Sequence, residues 1–383
     1  MNIIKRIIIM IILYLFLACV EVGSFYHVHQ NMSSSNCMLL CSDGDILLGG
    51  YNTVSSGYET QGIILRLNHS GCEKESWILP GISDVTSLLE GPDCSYIALG
   101  NVTEGLYESH MVLVALDSQG NTLWRSDYCE MPSSTGLNII PSADGGYLAL
   151  GTAGRFESRI GLIVKYHQNG DVLWSQTYRS QTSSFLNDAI QVDDRFLVVG
   201  GSMDDSNLIA PWLLLVDENG QVLLNSLLDS ESEASAASIL ETEDGFDVLL
   251  SLFSGTRIDP VVLMLDRNYQ NIGSVNLGAA SLLEFPTGLT ATDEGNVIAV
   301  CSRFDANQTR SGILAIELSS TGSVLRQREI IPVSGHLVPF GFVKMPDGSL
   351  LICGQVGPGV DISSDHAFIL RTDSNWNIVL PSN

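Results

Sequence analysis

Positive charge is scarce in this 383-residue chain: 18 lysines and arginines stand against 43 aspartates and glutamates, a formal charge of −25. Phosphate backbones are held by clustered cations, so nucleic acid is excluded as a partner. Adsorption to an anionic bilayer surface is excluded on the same ground. Long apolar runs are missing as well. The longest, Ile7 to Val20, has 14 residues, short of the roughly 20 that span a bilayer as a helix. None of the eight cysteines forms a Cys-x-x-Cys pair, which removes zinc knuckles and thioredoxin-like centres. Neither a Gly-x-Ser-x-Gly elbow nor a Walker loop is present, so the usual frames for a serine nucleophile and for a nucleotide phosphate are lacking. No long amphipathic helical pattern follows residue 20.

The N-terminus reads as an export signal. Lys5 and Arg6 form a basic start, and the run Ile7–Val20 fits the apolar part of a signal peptide over residues 1–19. Its end, Leu15-Phe16-Leu17-Ala18-Cys19, resembles a bacterial lipoprotein signal. That resemblance implies lipidation at Cys19. Phe16 departs from it, because the family usually has Leu three residues before the Cys, and here Leu15 lies one place early. An ordinary cleaved signal and a retained anchor stay open. The expected location is the cell envelope, as a lipoprotein, or the secreted fraction. Without Cys19, seven cysteines remain, so at least one is unpaired in a monomer. Cys301 and Cys353 sit in apolar strand patterns, where a thiol acts as a small hydrophobe. An oxidising compartment would allow disulfides among Cys37, Cys41, Cys72, Cys94 and Cys129, and the spacing assigns none.

The chain is organised by a repeat. An acidic residue, a turn, an apolar run and a small residue recur as Asp43-Gly44-Asp45-Ile46-Leu47-Leu48-Gly49-Gly50, as Asp144 to Gly151 and as Asp347 to Gly354. Further copies begin at Asp93, Asp193, Asp244 and Glu294. A second string follows about twenty residues later, for example Val164-Lys165-Tyr166-His167-Gln168-Asn169-Gly170. Its fifth and seventh copies, at Asp266 and Asp373, lack the Gly. Each string is a turn between two β-prone runs, and Asp-Gly tolerates the positive φ of a tight hairpin. Two hairpins per repeat of about fifty residues give four strands, in one copy Leu137–Ile140, Tyr147–Leu150, Leu162–Tyr166 and Val172–Trp174. Seven such repeats predict an all-β, seven-bladed β-propeller with four antiparallel strands per blade over residues 36–383, after a linker at 20–35. Hairpin turns oppose a solenoid. No eighth copy exists, and the segment 20–35 is long enough only for an added strand.

The strings Asp144 to Gly151 and Ile163 to Trp174 resemble those of secreted bacterial and archaeal propeller repeat proteins. The resemblance covers nearly the whole mature chain and implies architecture rather than activity. The run Ala115 to Trp124 is similar to the docking repeat of quinoprotein-like propellers, whose Ala, Asp, Gly and Trp lock adjacent blades. The Trp recurs only at Trp77, Trp124 and Trp174, with Leu224 in the fourth copy. Outer-membrane assembly lipoproteins carry that repeat without being enzymes, so it implies no quinone and no other cofactor.

In an antiparallel blade the two tight turns share one face. The remaining connections share the other, where variable loops on a rigid frame usually bind. Acids lie on every second-to-third-strand connection: Glu59, then Glu104 and Glu108, then Glu157, Asp204 and Asp205, Asp259, Asp305, and Asp361 and Asp365. Tyr51, Tyr58, Tyr107, Phe156, Phe253 and Phe304 accompany them. These are the candidate binding-face residues, for a protein or carbohydrate ligand, on a chain expected to be a monomer. No catalytic residue stands out, because a glycosidase needs two carboxylates at a set separation and nothing selects a pair. A polysaccharide hydrolase or lyase and an envelope assembly scaffold are the competing readings. His27-Val28-His29 could place two rings on one strand face, but no third metal ligand is identifiable. Asp43-Gly44-Asp45 lacks the full spacing of a calcium loop. Asp204-Asp205 and Glu231-Ser232-Glu233 read as solvated loops. Asn31, Asn68, Asn101 and Asn307 begin glycosylation sequons, which matter only in a host that glycosylates.

Overall fold

The structure is a computed structural model that describes residues 20–21, 27–29, 31–54, 59–104, 108–131, 133–154, 158–230, 232–279, 282–304, 310–330, 335–357 and 366–379. Strands dominate it. Helix is nearly absent among the described residues, where Pro92–Cys94 forms a 3-10 turn, and no helix there is long and apolar enough to cross a membrane. Four separate antiparallel sheets of four strands cover 34–78, 84–128, 134–178 and 183–227. In the third, Ser134–Pro141, Tyr147–Ala153, Ile160–Tyr166 and Val172–Tyr178 pair in chain order. Groups of the same order cover 234–276 and 283–330. Single parallel bridges, Ile258↔Leu283 and Ser311↔His336, link these groups to the one that follows.

The middle strands explain the apolar runs. Tyr147–Ala153 is buried at every position, because its sheet is covered on both faces by neighbouring sheets. The outer strand Val172–Tyr178 is mostly exposed. Apolar clusters fill each junction between consecutive groups, and one of them joins the last to the first: Ile46 and Leu48 pack with Leu351, Cys353 and Ile369. Ser35 also donates its hydroxyl to the Gly354 carbonyl across that junction, at 2.9 Å. The succession of sheets therefore closes on itself.

The last group is completed from the other end of the chain. His366–Arg371 pairs on its outer side with His27–His29, through His27↔Ile369, Val28↔Phe368 and His29↔Ala367. Val20–Glu21 pairs in turn with that strand. The segment assigned from sequence as a linker thus contains strand. The remaining length of the outer edge is covered by 372–379, through the bridge Thr372↔Ile378 and a Val379 N–H bond to the Arg371 carbonyl.

Two irregularities repeat with the sequence. All seven innermost strands carry a one-residue bulge at the same place, at Asn36, Thr86, Leu137, Asn187, Ala237, Thr287 and Phe340. Six outer strands carry another, at Lys74, Leu123, Leu173, Leu223, Ile272 and Leu325. An extra residue bends a strand and spoils its ladder. On an outer strand it also blunts an edge that would otherwise pair with other chains.

The second turn in each repeat is held by its first residue. Asp117 accepts the N–H groups of Gln119 and Asn121 at 2.9 and 2.8 Å. Asp217, Asp266 and Asp373 do the same. The bonds from Asn121 hold the Asp117 carboxyl below its ordinary range. Gly120, Gly170 and Gly220 then take positive φ. The copies without Gly still take it, at Tyr269 and Trp376, a conformation that side chains disfavour. Ring contacts offset the cost. Tyr269 stacks on Phe246 at 5.5 Å between centroids, and Trp376 is buried beneath the Arg326 guanidinium, 3.7 Å from its centroid.

One position breaks the pattern of burial. Leu47, Ile97, Leu148, Leu197, Ile298 and Leu351 are buried at equivalent sites in the second strand of their repeats, and the fifth repeat has the half-buried Asp247. Burial alone pushes its carboxyl up to about 6. The sign follows: both states are protonated below the ordinary carboxylate range, and above it the unfolded chain ionises first. Stability is therefore lost as pH rises toward 6. Asp247→Asn is expected to raise stability by about 2 kcal/mol at pH 7 and by almost nothing at pH 3.5. Urea denaturation at the two pH values checks this, and equal gains at both would refute it.

Candidate functional site

The candidate face lies opposite the tight turns, where first and third strands begin and second and fourth strands end. The structure places the sequence-assigned acids there unevenly. Glu59 is exposed beside Thr60, the first residue of a third strand. Glu104 and Glu108 are exposed and face each other across the end of one hairpin. Asp204 caps its own turn, accepting the N–H groups of Ser206 and Leu208 at 2.8 and 2.9 Å. Asp205 is exposed and accepts the Thr182 hydroxyl. Glu157, Asp305, Asp361, Asp365 and Cys19 lie outside the described residues, as do Tyr58, Tyr107 and Phe156.

Asp259 differs from its expected place on an exposed loop. Strand pairing runs as far as Ser254↔Arg257, which leaves only Gly255 and Thr256 to connect the two strands. Gly255 takes a φ of 63° to make that turn. Asp259 is thereby drawn into Arg257–Asp266, where it is buried and accepts from Arg257 at 2.9 Å. Phe253 is likewise inside a strand.

A cluster without a sequence signature sits on the same face in the sixth repeat. Glu284 and Arg303 are cross-strand partners. Glu284 is fully buried and ion-paired with Arg303, and its second oxygen accepts the Ala279 N–H at 2.7 Å. Arg303 reaches Glu329 on its other side at 3.4 Å. One residue further along, Phe285 and Phe304 meet edge to face at 5.7 Å. The His336 ring lies 5.9 Å from Phe304, and its Nδ1 is 3.3 Å from the Ser311 hydroxyl. Phe285 keeps 39% of its surface exposed, which leaves an aromatic face beside a rigid ion pair. A second polar group lies in the second repeat, where Arg125 binds Asp127 through two bonds and also reaches the Pro80 carbonyl. That contact with Arg125 holds the Asp127 carboxyl below its ordinary range.

Further in, the residues just after the bulges form a chain across four inner strands. Ser87 bonds Asn138 at 2.9 Å, Asn138 bonds Asp188 at 2.9 Å, and Ser238 bonds Asp188 at 2.8 Å. Burial pushes the Asp188 carboxyl up, against the pull of donors that include the Ala189 and Ile239 N–H groups. A carboxylate with that many donors is a fixed structural link with little left to offer a ligand. Among the described residues no group of three or more His, Cys, Asp or Glu side chains is placed to hold a metal ion. Cys37, Cys41, Cys72, Cys94, Cys129, Cys301 and Cys353 are all free thiols. Asp43 and Asp45 bind Arg66 at the tight turn. Of the sequons, Asn101 is buried and bonded to Gly136, whereas Asn31 is exposed.

No family model and no curated protein matches the chain. Solved structures do. A periplasmic gluconolactonase from Pseudomonas aeruginosa superposes with a TM-score of 0.61 at 12% identity, over 88% of this chain and 95% of that one. A putative 6-phosphogluconolactonase from Bacteroides uniformis gives 0.55 at 14% identity, over 88% and 96%. Sqt1 from Chaetomium thermophilum gives 0.54 at 12% identity, over 95% and 88%. At such identities the likeness speaks to fold alone: the chain is all-β, with a β-propeller-like architecture.

Proposed function

We propose that this chain is an exported, seven-bladed β-propeller with four strands per blade, which binds a protein or glycan through its loop face without catalysing a reaction. The observation that carries the reading is the division of labour between the two faces. Asx bonds tie down tight turns at Asp43, Asn68, Asp117, Asp144, Asp217, Asp266, Asp347 and Asp373, whereas the opposite face varies from repeat to repeat and presents Phe285 beside the Glu284–Arg303 pair. Export rests on the leader and a lipid anchor on Cys19. Labelling with a fatty-acid analogue in wild type and Cys19→Ala tests the anchor.

Glu284 and Glu329 are two carboxylates of this face that share one arginine. Arg303 contacts both, which suits a rigid recognition element better than an acid and a base. The binding test is retention of envelope proteins and glycans on immobilised protein. Glu104→Lys/Glu108→Lys with Phe285→Ala is expected to reduce retention about tenfold, by lost charge complementarity and aromatic contact. Retention equal to wild type would refute the loop face as the binding surface. Lactone or polysaccharide turnover abolished by Glu284→Gln would replace the scaffold reading with an enzyme.

A further inference from the structure

The seventh group differs from the others in how its outer strand is attached. In the six preceding groups the outer strand follows its partner through a tight turn and pairs over five or six residues. His27–His29 pairs over three, and its partner lies far away in sequence. In sequence, four residues separate it from Ser34, where the first sheet begins. Beyond the strand, the Ala367 N–H bonds the Met32 carbonyl at 2.9 Å, and Met32 is fully buried in the cluster between last and first sheets.

A strand held by few pairs and a short leash can leave without unfolding its sheet. What it uncovers is the outer backbone edge from Ala367 to Ile369, apart from the Ala367 N–H that Met32 holds, flanked by the buried side chains of Ala367, Phe368 and Ile369. Exposed edges of this kind accept another extended segment. The segment whose register already fits is residues 27–29 of another molecule. We infer that the outer edge of His366–Arg371 is a strand-acceptor site, and that its partner is the N-terminal strand of a second copy of this chain, exchanged reciprocally. Reciprocal exchange gives a closed two-fold dimer. The short leash keeps the chain's own strand at an effective concentration on the order of millimolar. Dilute protein is therefore monomeric, and exchange takes over only near that concentration. The inference does not depend on the loop-face reading.

The test uses the full chain and a fluorescent peptide spanning residues 27–35. His29→Cys/Ala367→Cys, oxidised with glutathione disulfide, joins a register pair and locks the strand in place. Val28→Pro breaks the pairing. Wild type is expected to bind the peptide weakly, the locked variant not at all, and Val28→Pro about tenfold more tightly than wild type, because its own strand competes less. Reduction of the locked variant restores binding. Val28→Pro also lowers Tm by about 5 °C, and the peptide restores it. Wild type concentrated to about 1 mM yields a dimer fraction that the locked variant lacks. Equal peptide binding by locked and wild-type protein overturns the site. So does a Val28→Pro protein with unchanged Tm and unchanged peptide affinity. Absence of a dimer at that concentration overturns the second copy as partner.

Discussion

Arg303→Ala is expected to destabilise the protein by about 3–5 kcal/mol, the range for breaking a buried ion pair from one side. Glu284 is fully buried and Arg303 nearly so. Taking away the guanidinium strands a carboxylate that, among the described residues, keeps the Ala279 N–H as its donor. The reverse is expected when both partners go. Glu284→Leu/Arg303→Met removes both desolvation penalties together and is expected to lie within about 1 kcal/mol of wild type. A double-mutant cycle in urea measures the coupling. A mild Arg303→Ala, or a double variant as unstable as the single, would show that the pair is not the buried unit described here. The cycle also bears on function: a well-folded double variant that has lost ligand retention assigns the pair to recognition.

Gly120→Ala is expected to cost about 3 kcal/mol, against about 1 kcal/mol for Gly44→Ala. Both glycines have a positive φ, 80° and 86°, so both substitutions carry the backbone penalty. Only Gly120 adds a collision. A Cβ there would stand 2.3 Å from the Trp77 ring of the preceding repeat, whereas at Gly44 nothing lies within 4 Å. Trp124 covers Gly170 and Trp174 covers Gly220 in the same way. Carbonyls inside these turns, two residues before the positive-φ residue, accept donors from the neighbouring repeat: Arg66 to Ser118, Trp174 to Glu218, Arg326 to Ser374 and, across the closure, Arg371 to His69. Trp77→Leu should recover part of the Gly120→Ala loss and none of the Gly44→Ala loss. Equal costs at the two glycines would remove the inter-repeat contact as the reason for the difference.

The turns were legible because their chemistry is local. An Asp that caps, a Gly at positive φ and an apolar run beside them need only a few consecutive residues, and so the sequence-assigned positions of the third repeat all fall within its observed strands, which run further at their ends. Gly120 and Trp124, which meet Trp77 and Gly170 of the neighbouring repeats, were also visible, since they sit in fixed places. Variants of that contact were hidden. At the sixth junction Arg326 stands where the second and third repeats have Trp, and it covers Trp376 where most repeats have Gly. The bulges were hidden because register belongs to a pair of strands and to neither sequence alone. Asp259 was misplaced because the brevity of the Gly255-Thr256 turn could not be read from composition. Glu284 and Arg303 are nineteen residues apart, with no motif between them. Only the antiparallel pairing brings them together.

The pairing of Val28 with Phe368 also sets a timetable. A chain that emerges N-terminus first has its closing strand ready before any other part, while the partner is nearly the last to arrive. The contact of widest sequence separation must therefore form after the sheets between have assembled, and widely separated contacts are the slow ones. Until then, residues 27–29 wait without their partner strand. A nascent chain arrested before residue 366 should hold stacked sheets in an open arc, cleaved readily by protease near residue 28, and that sensitivity should vanish within the last twenty residues of synthesis.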